Sequence, residues 1–469
     1  MVMSPIKHVV VLMLENRSFD QILGCMQAVF PGEVDGIDPT APPRQASDPE
    51  GNFVEQLPKA WAKLTWSADV DFDPLHEYPN VSRQLDPKQG FVYDFSREYK
   101  AQLDSLQSTD ERRNVIQQIM AYFPFGTLPA LHVLAQSYTI CDRWFASVPG
   151  PTWANRFFVH SGTSKGYVRM PDGVFHPHLH TYDQETIYDQ LTRAGKSWKI
   201  YHSGMAQSMT LTRLLLSTNA SNFSSMNNFF NDAGGREEDF PAYSFIEPRY
   251  GDELTADDLG NEVVAAPAND DHPPHNVLNG QNLIAQVYNA LRQNQSLWDT
   301  TLLVVLYDEH GGFYDHVVPL SAPAPDAYTG EQFNWRFKDG TTNNVTATFD
   351  RYGVRVPALL ISPWVPRAVC HVEFDHTSVL RFVTELWNLN PLPSARMTQA
   401  KSIQQALSDT PLSSDDMPQK IGGSLSGNTL VGAASRTSQS LNSNQKALIE
   451  YSKTLADAVS MEDSEDTNN

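Results

Sequence analysis

The chain has 469 residues, 41% of them hydrophobic, and a formal net charge of -21 at pH 7. This length is enough for one large domain with insertions or for two domains. The negative charge argues against a nucleic-acid backbone as a partner and against strong electrostatic binding to anionic membranes.

The three cysteines are widely scattered and have no CxxC spacing, so the sequence predicts neither a disulfide framework nor a cysteine zinc site. No apolar run is long enough to span a membrane, and the first apolar run leads into polar residues rather than into a cleavage site. We therefore expect a cytoplasmic protein, or one exported without a classical signal peptide. Any contact with a membrane surface is expected to be transient.

The first predicted element is a strand over His8–Leu14. This run is short and almost continuously apolar, which is typical of a strand buried on both faces of a parallel sheet. It is followed directly by Glu15 and Asn16. Ligands of open α/β sheets lie outside the carboxyl ends of the strands, so these two side chains are candidate contacts for a ligand.

Residues 31–90 are rich in Pro, Asp and Gly, and we interpret them as an ordered excursion over the sheet. His76 lies inside this stretch, and an isolated histidine is more often structural than catalytic. Apolar residues at helical spacing predict one or two helices over Asp94–Met120 and another over Leu128–Gln136. The next segment, Ser137–Trp144, has the composition of a strand.

A Pro-Gly-Pro turn precedes Thr152, and a helix is predicted over Trp153–His160. Two interpretations of Thr152 remain open from the residues alone. It is either a residue that caps the helix, or a nucleophile held at the positive end of the helix, where backbone N–H groups stabilise a phosphoryl group.

A third strand, Ser197–Tyr201, ends at His202, after a helix over Glu185–Ala194. The composition then changes to Asn, Ser and aromatic residues, followed by acidic loops. We interpret residues 205–270 as an inserted lid, with one further strand at Tyr243–Glu247. The aromatic stretch Phe223–Phe230 is predicted to line an apolar groove or, alternatively, to form a capped surface loop.

His272 precedes an amphipathic helix predicted over Val277–Gln293, and the apolar run Thr301–Tyr307 follows that helix. This run predicts a second strand buried on both faces, and it ends at Asp308 and Glu309. Two carboxylates held together need a cation or a shared proton to compensate their charge.

The carboxyl ends of the two central strands are therefore expected to bring their oxygen ligands to one point. Such a set suits a divalent metal ion, and Ca²⁺, Mg²⁺, Mn²⁺, Fe and Zn²⁺ all accept oxygen ligands. The sequence predicts one such ion. Its predicted ligands are Glu15, Asn16, Asp308 and Glu309.

Another buried strand is predicted over Val354–Ile361, and residues 375–378 are expected to cap a helix over Val379–Trp387. Beyond residue 405 the chain is rich in Ser, Asn and Asp, with one helical pattern before an acidic end that is expected to be disordered. The predicted organisation is a domain over residues 1–404 and a C-terminal extension over residues 405–469.

Six motifs, in order along the chain, resemble the phosphoesterase family, which contains non-haemolytic and non-specific phospholipases C and related acid phosphatases. The resemblance runs from about residue 6 to residue 390. The motifs are ENRSFDQILG (Glu15–Gly24), PGPTWANR (Pro149–Arg156), DHPPHNVLNGQ (Asp271–Gln281), YDEHGGFYDHV (Tyr307–Val317), RVPALLISPW (Arg355–Trp364) and DHTSVLRF (Asp375–Phe382).

The resemblance implies an α/β fold with an alkaline-phosphatase-like core, in which a mostly parallel sheet lies between helices. It also implies a phosphoryl-enzyme mechanism in which Thr152 is the nucleophile. His272 is expected to contact the phosphate or protonate the leaving group, with His76 and His202 as further phosphate contacts. Residues expected to assist, by direct contact or through a neighbour, are His310, Asp315 and Asn155.

The expected activity is that of a metal-dependent phospholipase C. It would hydrolyse glycerophospholipids such as phosphatidylcholine to diacylglycerol and a phosphorylated head group. The resemblance leaves an acid phosphatase of broad monoester specificity as the alternative, since both activities occur in the family. A third hypothesis is a binding protein on an inactive enzyme fold, although the complete motif set argues against it.

Overall fold

The protein is described by a computed structural model that covers residues 5–58, 73–170, 182–256, 262–328, 330–423, 441–451 and 453. An eight-stranded sheet forms its centre. The strands of this sheet, in chain order, are β1 (His8–Leu14), β2 (Thr139–Cys141), β3 (Trp198–His202), β4 (Phe223–Ser225), β5 (Tyr243–Ile246), β6 (Thr301–Tyr307), β7 (Ala358–Ile361) and β8 (Val369–Cys370).

The strand order across the sheet is β8-β2-β7-β6-β1-β5-β3-β4. All pairs are parallel except those that β7 makes with β6 and β2. The predicted α/β architecture with a mostly parallel sheet is therefore confirmed.

The two strands predicted to be central have the predicted bounds and lie side by side. All seven residues of β1 and all seven of β6 are buried, because both faces of these strands are covered by helices. The strands pair in register from His8 with Thr301 to Leu14 with Tyr307. The residues that follow Leu14 and Tyr307 therefore leave the sheet at the same edge.

Three helices border the functional residues: α1 (Thr152–Ser161), α2 (Val277–Gln293) and α3 (Thr377–Trp387). The remaining α-helices are Phe19–Ile22, Tyr78–Gln84, Phe91–Glu98, Lys100–Asp104, Thr109–Gln117, Leu131–Ser137, Ile187–Arg193, Met226–Ala233, Gln295–Trp298 and Ala395–Gln399. Short 3-10 helices are Gly24–Ala28, Gln207–Thr210, Thr212–Leu215, Ser217–Asn222, Glu237–Asp239, Ile403–Ala406 and Ser414–Asp416.

Helices cover the sheet on both faces. One layer contains α1, α3 and the helix Ile187–Arg193, and the other contains α2 and the helix Met226–Ala233. Strand β3 contacts both layers, because residues three apart on a strand point to opposite faces. Trp198 packs on Tyr188 of the first layer at 4.6 Å, and Tyr201 packs on Phe229 of the second at 5.1 Å between ring centroids.

Four two-stranded sheets lie outside the central sheet. They pair Gln45–Ser47 with Phe53–Glu55, Trp144–Phe145 with Phe374–Asp375, Glu253–Ala256 with Glu262–Ala266, and Gln332–Arg336 with Thr342–Thr346.

Two strands from the segment predicted to be a lid, residues 205–270, belong to the central sheet. They are the edge strand β4 and the inner strand β5, which lies between β1 and β3. Phe229, in the stretch predicted to line a groove, is fully buried against Tyr201 and Phe240. Its apolar surface is therefore used in the core.

Other elements differ from the predictions in their bounds. The region Asp94–Met120 contains three helices instead of one or two, because Tyr99 and residues 105–108 interrupt it. The strand predicted over Ser137–Trp144 is divided between β2 and the short strand Trp144–Phe145. Of the strand predicted over Val354–Ile361, the last four residues form β7.

The described part of the C-terminal extension packs against the α/β body. Met417 and Ile421 are buried, and Asn289 on α2 donates to the carbonyl of Ile421 at 2.9 Å. Residues 443–451 are helical. The acidic end, residues 454–469, lies outside the described residues, and the boundary at residue 404 stays a prediction. Within the described ranges, no helix has the length and apolar character needed to cross a membrane.

His160 gives the folded state a testable dependence on pH. This residue of α1 is buried, with its ring 4.5 Å from the Phe245 ring, and burial lowers its pKa from 6.5 to about 3. The unfolded chain therefore binds an additional proton between these two values. The contribution to the free energy of unfolding is present above pH 6.5 and is lost as the pH falls towards 3.

We expect His160→Gln to reduce the acid-side slope of stability against pH by about 1.4 kcal/mol per pH unit. Urea unfolding at a series of pH values measures this slope. Tyr188→Phe is the matched control, because it removes the hydroxyl that lies 3.1 Å from His160 Nδ1 and leaves the titrating ring in place. A wild-type slope in His160→Gln would contradict the prediction.

Candidate active site

The edge of the sheet at the ends of β1 and β6 holds the predicted metal ligands. Glu15, Asn16, Asp308 and Glu309 are all fully buried there. The backbone N–H of Asp308 donates to Leu14 O at 3.1 Å, and that of Asn16 donates to Asp308 Oδ1 at 3.1 Å. The structure therefore brings the ends of the two strands together through backbone and carboxylate contacts.

Asn16 turns the chain sharply after β1. Its φ is 59°, in the left-handed region that asparagine tolerates better than most residues. Gly311 passes so close that a Cβ atom there would lie 2.2 Å from Asn16 O. Glycine at position 311 is therefore required by the close approach of these two segments, and glycine at position 312 by its approach to Pro74 and Leu75.

Thr152 is the first residue of α1, and its hydroxyl donates to Asn16 Oδ1 at 3.4 Å. It was predicted to stand at the capping position, but Pro151 occupies that position. The hydroxyl thus points to the sheet edge, close to the first turn of a helix whose dipole favours anions. Asn155 makes four hydrogen bonds to residues 148–151 and so fixes the turn before the helix.

Arg156, one helical turn after Thr152, supplies positive charge to the acidic cluster. Its Nη2 lies 3.4 Å from Glu15 Oε1, and its Nε donates to Asp308 Oδ2 at 3.3 Å. The guanidinium is fully buried; burial opposes its charge, but the surrounding anionic groups raise its pKa above the ordinary value. A buried charge of this kind is stable only with such partners.

His76 and His272 lie beside the cluster, with ring centroids 5.9 Å apart. His76 Nδ1 contacts Pro74 O at 2.9 Å, so Nε2 is the nitrogen that accepts from Asn16 Nδ2 at 3.0 Å. Burial opposes the charge of His76, but Glu309 and other carboxylates raise its pKa. Burial lowers the pKa of His272 to about 3, and its Nε2 is buried with no hydrogen-bond partner among the described residues.

The carboxyl groups of the cluster carry more negative charge than their described partners compensate. Burial raises the pKa of Glu15 well above its usual range, and burial raises that of Glu309 to about 8. Glu15 Oε2 and Glu309 Oε1 accept no hydrogen bond from the part of the chain that the structure describes. Unpartnered carboxylate oxygens in a buried acidic cluster fit a hard divalent cation.

Two further predicted site residues are His310, which contacts this cluster, and His202, whose described contacts lie elsewhere. His310 Nδ1 lies 3.4 Å from Glu309 Oε2, and its Nε2 lies 2.8 Å from Gln84 Oε1, so it can orient Glu309. His202 lies at the end of β3, where Nδ1 is 2.6 Å from Gly204 O and the ring faces Phe223. Strand β5 lies between β3 and β1 in the sheet, and the described contacts of His202 are to Gly204 and Phe223, so its role as a phosphate contact stays a prediction.

Asp315 belongs to a second acidic cluster. Asp20, Asp315 and His316 have potential ligand atoms within 4.8 Å of one another. Arg355 already supplies the cation there: its Nε donates to Asp315 Oδ1 at 2.9 Å and its Nη2 to Asp20 Oδ1 at 3.1 Å. This cluster is therefore an ion-pair network that joins the segments after β1 and β6 to the chain before β7.

Sequence reasoning missed four polar residues near the site. Arg156 ends one motif, Asp270 directly precedes another, and Asp73 lies three residues before His76, so their residue types were visible although their contacts were not. Asp270 O accepts from the backbone N–H of Glu15 at 2.8 Å, and Asp73 Oδ2 lies 3.9 Å from His272 Nε2. Asn444, which donates to Glu15, lies in the C-terminal extension and has no motif around it.

The geometry of the site is typical of one class of protein, the enzymes that transfer phosphoryl groups. A site for phosphoryl transfer needs a nucleophile, charged groups and a proton donor. Here an aliphatic hydroxyl lies at a helix N-terminus, beside buried carboxylates and an imidazole nitrogen that has no hydrogen-bond partner among the described residues. The model of the phosphoesterase family matches residues 6–390. The chain belongs to the phosphoesterase family and is a hydrolase that acts on phosphoric ester bonds, so both of these predictions are confirmed.

Similar proteins include non-specific phospholipase C3 of Arabidopsis thaliana, which is 32% identical over 435 residues that cover 87% of this chain and 74% of that protein. Phospholipase C B of Mycobacterium tuberculosis is 27% identical over 425 residues, covering 84% and 75%. A solved structure of a protein in the alkaline phosphatase superfamily from Vibrio parahaemolyticus has 12% identity and a TM-score of 0.32, covering 62% of this chain and 66% of that one.

The second acidic cluster yields a prediction about stability. We expect Arg355→Met to lower the free energy of unfolding by about 3–5 kcal/mol, because it leaves two buried carboxylates without their shared cation. Chemical denaturation measures the change. Arg236→Met is the control, since Arg236 is exposed and pairs with exposed Glu238 and Asp239. Equal unfolding midpoints for the two variants would refute the structural role of Arg355.

Proposed function

We propose that this protein is a phospholipase C that cleaves glycerophospholipids, such as phosphatidylcholine, through a phosphorylated Thr152. The observation that carries the proposal is the 3.4 Å hydrogen bond from the Thr152 hydroxyl to Asn16. It holds a nucleophile at the start of α1 and next to the acidic cluster. The names of the similar phospholipases C support the lipid substrate.

Glu15, Asn16, Asp308 and Glu309 would hold one divalent ion. When bound, such an ion neutralises phosphate charge and lowers the pKa of a nearby hydroxyl. Asn16 contributes through its amide oxygen, which also accepts from Thr152. Glu15 and Glu309 contribute through the oxygens that accept no hydrogen bond from described residues.

The residues of this chain would then carry out the steps of the reaction. Thr152 Oγ1 would lose its proton to water and attack phosphorus, and the bond from phosphorus to the diacylglycerol oxygen would break, with the backbone N–H groups of the first turn of α1 facing the remaining phosphate oxygens. His272 Nε2 has no hydrogen-bond partner among the described residues; it would take up a proton when an anionic phosphate nearby favours the charged imidazole and would donate that proton to the leaving diacylglycerol oxygen. Arg156 maintains the charge balance, and His76 orients Asn16. Water finally releases the phosphorylated head group from Thr152.

An acid phosphatase acting on monoesters is the second candidate. The observation in its favour is the burial of the site, where Thr152, Asp308 and His272 are each fully buried. A small soluble phosphoester enters such a site with less rearrangement than a lipid with two acyl chains. Comparing phosphatidylcholine micelles with a small aryl phosphate separates the two. Hydrolysis of the aryl monoester alone would replace the lipid proposal.

The nucleophile has a direct test. We expect Thr152→Ala to reduce kcat by about 10³-fold or more, and Thr152→Ser to retain measurable turnover because it keeps a hydroxyl. Ser161→Ala is the matched control, since Ser161 lies at the other end of α1 and its hydroxyl bonds within the fold. Mass spectrometry of the denatured wild-type enzyme, quenched during turnover of phosphatidylcholine, should find the mass of the phosphorylated head group on the peptide that contains Thr152. Wild-type turnover by Thr152→Ala would eliminate this mechanism.

The leaving-group role of His272 has its own signature. We expect His272→Gln to lower kcat by about 10²–10⁴-fold on an alkyl phosphodiester, whose leaving alcohol needs a proton. The loss should be much smaller on a nitrophenyl diester, whose leaving group departs as a stable anion. His310→Gln is the control: His310 contacts Glu309 and not the leaving group, so any loss that it causes should be the same on both substrates. Equal losses of His272→Gln on both substrates would exclude proton donation.

A further inference from the structure

A short segment near the end of the chain forms part of the wall of the site. Residues 441–451 precede the acidic end of the chain and are helical from residue 443. Asn444 is fully buried, although asparagine is usually exposed. Its environment includes a predicted metal ligand and the residue that follows the predicted nucleophile.

The nitrogen and the oxygen of the Asn444 side-chain amide both form hydrogen bonds. Its Nδ2 donates to Glu15 Oε1 at 2.8 Å, and its Oδ1 accepts from Trp153 Nε1 at 2.9 Å. Since indole N–H is a donor and cannot accept, the second bond fixes which end of the amide faces Glu15. The amide is therefore held in one orientation, with its N–H directed at the carboxylate.

The segment around Asn444 is anchored to the body of the protein. Gln445 Nε2 donates to Tyr250 O at 2.8 Å, and the Tyr451 hydroxyl donates to Met209 O at 3.1 Å. Ala447 and Leu448 are buried in the main hydrophobic core. Hydrogen bonds and apolar packing therefore both hold in place the segment from which Asn444 contacts Glu15.

The contacts of Glu15 divide between its two oxygens. Oε1 accepts from Asn444 and lies 3.4 Å from Arg156 Nη2, whereas Oε2 accepts no hydrogen bond from any described residue. A carboxylate held by one oxygen presents the other in a fixed direction. Groups that orient metal ligands in this way strongly affect metal affinity.

We propose that Asn444 is a positioning residue, which fixes the Glu15 carboxylate so that Oε2 faces the metal. The proposal rests on the proposed function of Glu15 as a metal ligand. It makes the C-terminal extension part of the reaction site: the residue in position 444 acts through Glu15 and does not itself touch the substrate.

The test measures metal binding by the full-length protein. Titration calorimetry with Mn²⁺ and with Ca²⁺ compares the wild type with Asn444→Leu, which has similar volume and no amide. We expect Asn444→Leu to lower the metal affinity by about 10–100-fold. Asn442→Ala is the matched control, because Asn442 is a buried asparagine of the same segment that bonds to Gln445, and it should bind metal like the wild type.

A second variant keeps the test informative if Asn444→Leu does not fold. Trp153→Phe removes the N–H that orients the Asn444 amide and keeps an aromatic ring, so we expect a smaller loss of metal affinity in the same direction. Wild-type affinity in both variants would overturn the positioning role alone. Failure of the wild type to bind either ion would overturn both this role and the proposed metal site. A third variant ends at residue 440 and lacks the segment. If it hydrolyses phosphatidylcholine faster and keeps the wild-type metal affinity, the segment covers the site instead of positioning Glu15.

Discussion

The burial of three carboxylates at the ends of β1 and β6 is the constraint on which the site depends. Glu15, Asp308 and Glu309 are all removed from water, and removing a charge from water has a large energetic penalty unless partners compensate it. This constraint explains why an arginine is buried in α1. It also explains why backbone N–H groups of Asn16, Glu309 and Gly311 all point at carboxylate oxygens.

The protein compensates buried acids in two ways. Around Arg355, the carboxylates of Asp20 and Asp315 both receive hydrogen bonds from the guanidinium and from backbone or side-chain donors. Around Arg156, by contrast, an oxygen of Glu15 and an oxygen of Glu309 accept no hydrogen bond from the described residues. A complete set of partners stabilises the fold, whereas an incomplete set leaves oxygens available to a ligand. The difference separates a structural cluster from a candidate reactive one.

The sequence predicted β1 and β6 with their correct bounds because both faces of these strands are buried, so that nearly every residue is apolar. The same rule failed for β4, which lies at the sheet edge and carries half-exposed and exposed residues. Its polar composition therefore suggested a lid. Helix α2 was also predicted with its observed bounds, since Asn276 caps its start.

The site was predicted best where a polar residue directly follows a buried strand. Glu15 and Asp308 meet because the strands before them pair in register, and the sequence indicated that meeting because both strands end in oxygen ligands. The Asn444 contact joins residues 429 positions apart, and no local pattern marks it. Contacts of this kind depend on how the chain returns to the sheet, which propensity and periodicity do not encode.

The balance of charge between the buried carboxylates and Arg156 determines what ligand the cluster can bind. When all three carboxylates are ionised, they exceed the one guanidinium by two negative charges, which equals the charge of one divalent ion. Asp270 does not change this balance, because its Oδ1 lies 2.6 Å from His275 Nδ1 and the pKa of His275, which burial alone would lower, is raised by Asp270. With a divalent ion the cluster would approach neutrality and would no longer repel an anionic phosphate. Since electrostatic interactions are strong in a buried site, the same burial that makes the ion necessary would make its effect on the phosphate large.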